Sequence, residues 1–420
     1  MQTQRELLTP QQILEKANAP ERLTESADNE QFSTSATQFQ LILDRQQEWQ
    51  ARLRMVDAAR EFLYISTYYI EYDDYAITFL AALKRAVSRG VRVYLIVDGF
   101  GQTLSSNLMT ADGKKKLRAL LDDLRAGGAK LIFYRPPKLL QRLIGSGYHI
   151  KYQVSEQRQM LFSSSNISQM SFNRWMEFSA LLEGPVVAAM LNDLFQVIPQ
   201  PMSADLEKVL PAHEDTMRNG HLPYSFEFLT TIPANDPSPL SPFVQQRKNP
   251  ITSALVEHIN AARSSVVLTS FYFKPHPRLV SALLAATRRG VRVEIHHSHR
   301  GALGGVTRLP WLSASARYPV MLDAGFVIYE HELGQHTKFV LIDDRIAWLG
   351  SYNFEHSADD RLAEAMLVTE DVRIVQQLQL FFQQLRTDPK NGIFSRDDFD
   401  ALPHMLRFYR LLCLPFKRWL

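Results

Sequence analysis

Six polar residues recur in this chain at one fixed spacing. His149, Lys151, Glu156, Ser164, Asn166 and Glu177 are answered 187 residues later by His336, Lys338, Asp343, Ser351, Asn353 and Glu364. The offsets from each histidine are two, seven, fifteen, seventeen and twenty-eight residues. A lone His-x-Lys is a common accident. Six matched positions restrict the chain to a duplicated fold, to one site built from two halves, or to both, and both are expected.

The hydrophobic pattern repeats in step. Residues 62–70 read as a buried strand, followed by a helix over roughly 76–88 and a strand opening at Arg89-Gly90-Val91-Arg92. The later copy runs as a strand over 266–273, a helix over about 278–288 and a strand opening at Arg289-Gly290-Val291-Arg292. A glycine ends each helix and β-branched residues start each strand, so both copies are βαβ units. A third strand matches as well, 128–134 against 325–329. The period is far too long for a solenoid and marks a domain duplication. The organisation expected is an N-terminal arm over 1–37, domains over 38–200 and 224–390, a linker over 201–223 and a basic amphipathic segment over 391–420.

A chain of 420 residues has room for two to three domains, each with its own core. Its net charge of +3 does not by itself call for nucleic acid. The distribution of charge is more informative. Between Asp123 and Glu156 there is no acid, while Arg125, Lys130, Arg135, Lys138, Arg142 and Lys151 fall there. Within that run, 136–144 mixes prolines and leucines with cations just ahead of His149. It reads as a lip that dips into an anionic bilayer, with Lys138 and Arg142 as its headgroup contacts. The stretch 402–420 carries Leu402, Leu406, Tyr409, Leu412 and Phe416 at helical spacing with arginines between them, suited either to capping the fold or to lying on a membrane. The lone Cys413 rules out an internal disulfide and fits a reducing compartment. The first residues lack the apolar core of a signal peptide, and no window approaches the roughly 18 apolar residues of a spanning helix. A cytoplasmic protein that touches membranes without crossing them is expected.

On a strand, residues i and i+2 share a face. His149 and Lys151 therefore point together, as do His336 and Lys338. In the second copy 339–342 continues the strand, 343–345 turns, and 346–349 returns to deliver Ser351 and Asn353 beside the histidine and lysine. An imidazole, an ammonium, a hydroxyl and an amide around one concavity suit a phosphate, and two facing copies supply both a nucleophile and a general acid. Glu177 and Glu364 are expected to hold the second ring nitrogen of the histidine in their own copy. The stretch His296-His297-Ser298-His299 tempts a metal reading, but it lacks carboxylate or thiolate partners in sequence, so pocket lining is expected. Tyr64, Tyr68, Tyr69 and Tyr72 are expected in strand packing and its rim.

The second copy, His336-Thr337-Lys338-x4-Asp343-x6-Gly350-Ser351-x-Asn353, resembles the signature of the phospholipase D superfamily. Within that family, Trp175-Met176-Glu177 followed by 182–187, and Ser270-Phe271-Tyr272-Phe273-Lys274-Pro275, are most similar to bacterial cardiolipin synthases. The resemblance covers about 350 residues, roughly 40 to 390. It implies two similar α/β domains, each a mixed sheet flanked by helices, with the active site at their interface and no metal or cofactor. It also implies a phosphohistidine intermediate and transfer of a phosphatidyl group between phosphatidylglycerol molecules at the cytoplasmic face of a bacterial membrane. By the same resemblance His149 attacks phosphorus and His336 moves the proton. Lys151, Lys338, Asn166 and Asn353 hold phosphate oxygens with Ser164 and Ser351 in support, and Glu156, Asp343, Glu177 and Glu364 complete the motifs. An anionic phospholipid is the partner implied, with no nucleic acid, and the oligomeric state is left open. Two other readings use the same scaffold: a phospholipase D or nuclease that hydrolyses a phosphodiester, and a lipid-binding protein that has lost its chemistry. Three departures from the family pattern stand out. Glu156 replaces the usual Asp, Ser163 to Ser165 replace a glycine-containing run, and Arg361 stands near a usual Asn with Glu364 shifted by one residue.

Overall fold

A computed structural model describes residues 37–198, 203–209, 224–232, 249–303 and 308–413. Sixteen strands form two sheets among them. The first half contributes β1 (Gln38–Ile42), β2 (Phe62–Thr67), β3 (Arg92–Asp98), β4 (Lys130–Tyr134), β5 (Gly147–Tyr148), β6 (Lys151–Ser155), β7 (Gln159–Ser163) and β8 (Ser179–Glu183). The second contributes β9 (Glu227–Thr231), β10 (Ser265–Thr269), β11 (Arg292–Ser298), β12 (Val327–His331), β13 (Phe339–Ile342), β14 (Ile346–Gly350), β15 (Leu362–Thr369) and β16 (Asn391–Ile393).

The first sheet runs β1-β8-β7-β6-β2-β3-β4 and the second β9-β15-β14-β13-β10-β11-β12-β16, with β5 also on the outer edge of β15. Strand for strand, the two orders are the same through β4 and β12. In each sheet the three βαβ strands are parallel and the hairpin strands antiparallel. The repeated Arg-Gly-Val-Arg explains part of this likeness. Gly90 and Gly290 adopt φ of 88° and 87°, where a side chain would be strained, and so end their helices. Arg89 and Arg289 reach back to the carbonyls of Val56 and Ile259 at 2.7 and 2.9 Å, satisfying the open end of the preceding helix.

Strand alternation sorts the side chains into three cores. Phe62 and Tyr64 of β2, and Phe339 and Leu341 of β13, enter one core shared by both halves, together with the helices Pro185–Phe195 and Val372–Thr387. Leu63 and Ile65 face an outer core of the first half, and Val340 and Ile342 an outer core of the second. Phe178 meets Phe339 across the halves with ring centroids 4.9 Å apart. The halves are thus joined by a continuous apolar layer.

Two domain boundaries differ from the sequence expectation. Within 201–223, Ser203–Val209 forms a helix docked on the first sheet, where Asp205 pairs with Arg92 at 2.6 Å and accepts from the Tyr64 hydroxyl at 2.9 Å. The rest of that linker and the arm over 1–36 lie outside the described residues. The segment after 390 belongs to the second domain. β16 pairs with β12, and Ser395 and Asp398 form a capping box for the helix Arg396–Asp400. The helix His404–Cys413 lies against the helix Arg308–Ser315, leaving Met405, Phe408 and Tyr409 exposed. It therefore packs on the fold and keeps an outward apolar row. Among the described residues no helix is long and apolar enough to cross a membrane.

The serine run of the first copy has a structural cause. At the matching place in the second copy, a Cβ on Gly350 would lie 2.1 Å from the Ala365 carbonyl oxygen. Ser163 instead sits in regular β pairing and donates to Glu48 at 2.9 Å, while Ser165 donates to the other oxygen of Glu48, also at 2.9 Å. Glu48 is fully buried and is bound by Arg52 at 2.9 and 3.0 Å. The run therefore anchors β7 to the helix Arg45–Ala58. Glu48→Ala, which strands a buried guanidinium and two hydroxyls, is expected to lower the unfolding free energy by roughly 3–5 kcal/mol in urea titrations, whereas Ser163→Gly costs less.

Candidate active site

The two halves exchange backbone at their junction, and this builds the site. β5 adds in parallel to the edge of β15, and the His149 N–H donates to the Ala363 carbonyl at 3.0 Å. In mirror fashion the His336 N–H donates to the Met176 carbonyl at 2.8 Å. Each carbonyl belongs to the residue just before a motif glutamate. The pairing is therefore crossed. Nδ1 of His149 lies 3.0 and 3.2 Å from the two oxygens of Glu364, and Nδ1 of His336 lies 2.7 Å from Glu177. The expectation that each glutamate serves the histidine of its own copy is corrected: strand exchange carries each carboxylate to the opposite histidine. With Nδ1 engaged, Nε2 of each ring is the nitrogen left for chemistry.

His149, Lys151, Asn166, Glu177, His336, Lys338, Asn353 and Glu364 are brought together and all are buried. Lys151 Nζ donates to the His149 carbonyl at 2.6 Å, and Lys338 does the same to the His336 carbonyl. Tyr68 meets the His149 ring edge-on at 4.7 Å and lies 5.5 Å from the Lys151 ammonium. Phe271 meets His336 edge-on at 4.7 Å, with Trp175 on another side at 5.1 Å. These aromatic walls keep the crevice dry, so its charges act in a low dielectric. Asn166 accepts from the Tyr68 N–H at 3.2 Å, and its side chain also bonds the Tyr69 hydroxyl.

Burial and crowding set the charges. Burial first, and then the ammonium of Lys338, lowers Lys151 to about 7. Burial lowers Lys338 to about 8, with Glu177 and Glu364 pulling the other way. Burial also lowers His336 to about 4, although Glu177 opposes the shift. Glu177 resists its own burial through the charge and hydrogen bond of His336 and falls to about 2. His149 is held well below its ordinary value by burial and then by the two lysines. Burial pushes Glu364 up, against Lys151 and the Ser351 hydroxyl. Both histidines are thus depressed, and they differ in their partners: Glu177 beside His336 is held down as a carboxylate able to stabilise an imidazolium, while Glu364 beside His149 is pushed up.

Several sequence expectations need correction. Asp343 lies in the hairpin turn, past the four strand residues Phe339–Ile342 that follow Lys338, and accepts from the N–H groups of Arg263, Ser264 and Ser265 at 2.8 to 3.1 Å. Glu156 does the same for Arg60 and Phe62 at 2.7 and 3.2 Å, so its extra methylene is absorbed far from the crevice. Both acids tie the hairpin to the neighbouring strand and neither faces the site. The hydroxyls of Ser164 and Ser351 are committed to the glutamate strands: Ser164 accepts from the Phe178 N–H at 2.9 Å, and Ser351 accepts from Ala365 at 2.9 Å while donating to Glu364 at 2.5 Å. They position carboxylates and are not turned to a phosphate. Arg142 spends its guanidinium on the Pro136 and Pro137 carbonyls, and Lys138 precedes the short helix Leu139–Leu143, so both shape the lip. His296 and His297 are buried, bound to Glu294 and Asn391 and to Tyr318 respectively. Sequence reading missed Tyr68, Trp175 and Phe271 as site walls. Tyr68 and Phe271 stand at equivalent places after β2 and β10, and that correspondence was the available signal.

The fold and the facing motifs define a phospholipase D-like protein. The family model described as "Cardiolipin synthase, PLD-like domain" matches residues 53–198 and 255–386, and the chain belongs to that family. Among its relatives, cardiolipin synthase B of Salmonella typhi is 25% identical over 371 residues, covering 86% of this chain and 81% of that protein. Cardiolipin synthase B of Escherichia coli K12 is 24% identical over 370 residues, with the same coverage. Of the solved structures, phosphatidylserine synthase from Haemophilus influenzae Rd KW20 shares the fold with a TM-score of 0.67 at 14% identity, over 91% of this chain and 95% of that one.

The depressed lysines carry a testable sign. An ammonium with a lowered pKa is charged below that pKa and lost above it. Sulfate, whose own charge is constant over this range, is expected to bind the crevice with unchanged affinity up to about pH 6 and to weaken from pH 7 as Lys151 loses its proton. Above pH 8 its affinity should fall by up to about a hundredfold per unit as both lysines lose their protons, read by calorimetry. Constant affinity to pH 10 would contradict the assignment.

Proposed function

We propose that this protein is a phosphatidyltransferase of the cardiolipin synthase kind, moving a phosphatidyl group from one phosphatidylglycerol to the headgroup of another. The observation that carries the reading is the crossed pair of histidines, each with Nδ1 on a carboxylate and Nε2 free. Nε2 of His149 attacks phosphorus, the P–O bond to glycerol breaks, and the leaving oxygen takes the proton from Nε2 of His336, which enters the step as an imidazolium stabilised by Glu177 and by the anionic phosphate. The acceptor hydroxyl then returns its proton to Nε2 of His336 as its oxygen displaces His149 from phosphorus. Lys151, Lys338 and Asn166 hold the non-bridging oxygens. The difference between the histidines' partners supports this division of roles, because Glu177 stabilises the imidazolium His336 must form. Glu156 lies away from the crevice and the Ser163 hydroxyl is turned to Glu48, which supports a competent first half over a degenerate one.

The lip supports work at a membrane surface. Leu139 and Leu143 are 69% and 74% exposed, and Phe100, also partly exposed, lies against the lip at Gly145. The Ile144 carbonyl accepts from Arg361 of the second half at 2.8 Å, so this apolar ridge stands at the mouth of the interface. We infer peripheral attachment to an anionic leaflet, at the cytoplasmic face in a bacterium.

Incubation with phosphatidylglycerol liposomes and no added metal is expected to yield cardiolipin and glycerol; phosphatidic acid alone would make water the acceptor and the chain a lipase. His149→Ala is expected to abolish turnover and His336→Ala to reduce it by about 10²–10⁴-fold, in single-turnover assays. Leu139→Glu with Leu143→Glu is expected to abolish liposome flotation at an unchanged melting temperature, since both side chains are already in water.

A further inference from the structure

Each motif histidine is fixed through its backbone as well as through its ring. Along β5 successive N–H groups point in opposite directions. Those of Gly147 and His149 donate to the Arg361 and Ala363 carbonyls of the other half at 3.2 and 3.0 Å. The N–H of Tyr148, between them, donates to the Asp98 carboxylate at 2.8 Å. A strand of the first half thus lies on the second half's sheet, and Asp98 holds it from its own side.

Asp98 ends β3 and is 1% exposed. Its other oxygen accepts from the Gly101 N–H at 2.7 Å and caps the helix Gly99–Ser106. Gly101 lies flush against Tyr68, where a Cβ would fall 2.5 Å from the Tyr68 carbonyl oxygen. One carboxylate therefore joins the residue before His149 to the aromatic wall beside its ring. The second half repeats the grip with a different group. Ser298 ends β11, is fully buried, and accepts from the Gln335 N–H at 3.0 Å while donating to the Gln335 carbonyl at 3.2 Å. Gln335 precedes His336 as Tyr148 precedes His149. The Ser298 N–H donates to the carbonyl of Phe271, the wall of His336, at 3.3 Å.

The two grips meet different demands. From the end of β4 the chain spends residues 135–148, the lip included, before it reaches His149, whereas residues 332–335 suffice between β12 and His336. A longer loop costs more entropy to close, so its end needs the firmer hold. A carboxylate offers two accepting oxygens and clasps the helix and the strand at once. A single hydroxyl, accepting from and donating to one residue, serves the short loop. The stakes are kinetic, because a misplacement of about 1 Å at a reacting group can cost about a hundredfold in rate.

We propose that Asp98 and Ser298 are positioning residues, one for each histidine: Asp98 sets the ring that attacks phosphorus, and Ser298 sets the ring that carries the proton. This rests on the division of roles given above.

The leaving group separates the two residues. Single turnovers are followed with phosphatidylglycerol and with phosphatidyl-p-nitrophenol, whose phenolate departs without a proton. Asp98→Asn keeps the shape, but an amide has one accepting oxygen, so the Tyr148 or the Gly101 N–H is stranded. It is expected to slow glycerol and nitrophenol release alike, by about tenfold or more. Ser298→Ala is expected to slow glycerol release by about tenfold or more while nitrophenol release stays within about threefold of wild type. Asp98 is also one of the charges that oppose the effect of burial on Lys151, so Asp98→Asn weakens that ammonium too. Gly147→Ala keeps the charge and displaces only the bond, since its Cβ would fall 2.6 Å from Oδ2 of Asp98. It must slow both donors as Asp98→Asn does. Unchanged release in Asp98→Asn or Gly147→Ala overturns the proposal, and so does equal slowing of both donors in Ser298→Ala. Should the wild-type protein release nothing from either donor, the transfer reading falls. The grip is then read from amide exchange of the peptide spanning 147–150 by mass spectrometry. Asp98→Asn must raise that exchange by about tenfold or more, and unchanged exchange overturns the proposal.

Discussion

The site depends on one reciprocal exchange: each catalytic histidine hangs its backbone N–H on the other half, at the carbonyl just before that half's glutamate. A backbone hydrogen bond fixes distance and direction together, so the same contact that docks the halves delivers each carboxylate to the opposite Nδ1. Neither half alone can orient its own histidine. The apolar layer containing Phe178, Phe339 and the helices Pro185–Phe195 and Val372–Thr387 holds the halves in register. Non-directional burial supplies the association and a few directional bonds set the geometry.

Burial in one dry crevice takes basicity from both lysines, and repulsion by the Lys338 ammonium takes more from Lys151. That strain suits an anion, since a phosphate entering the crevice relieves the repulsion among the groups that bind it. Duplication supplies the symmetry, and divergence supplies direction. Glu177 is held below and Glu364 above the ordinary carboxylate range, and Glu71 and Lys274 differ in sign, so the two faces of a phosphate would meet different partners.

Much of this was legible in the chain. Period-2 strands and glycine-ended helices marked both βαβ units, and the i, i+2 rule put His149 beside Lys151 and Ser351 beside Asn353. What failed was anything that depended on the far end of a side chain. Glu156 and Asp343 share the motif spacing, but a turn separates them from the crevice and their oxygens cap backbone N–H groups there. Ser164 and Ser351 face the site's strands, yet the nearest unmet donors and acceptors belong to the glutamate strands. Ser163 looked like damage to a glycine position. Glu48, 115 residues earlier in the chain, makes it an anchor.

The sequence by itself determined the duplication, the βαβ unit of each half and the set of chemical groups at the centre, because those follow from local periodicity and from matched spacing. Only the tertiary structure decided which glutamate serves which histidine, which of the two carboxylates is held down and which is pushed up, and that Lys274 is buried against Glu355. The physical reason is that local patterns depend on neighbours along the chain. Crossed pairings, shared burial and mutual repulsion depend on neighbours in space, and two similar halves offer two ways to pair that only their docking distinguishes.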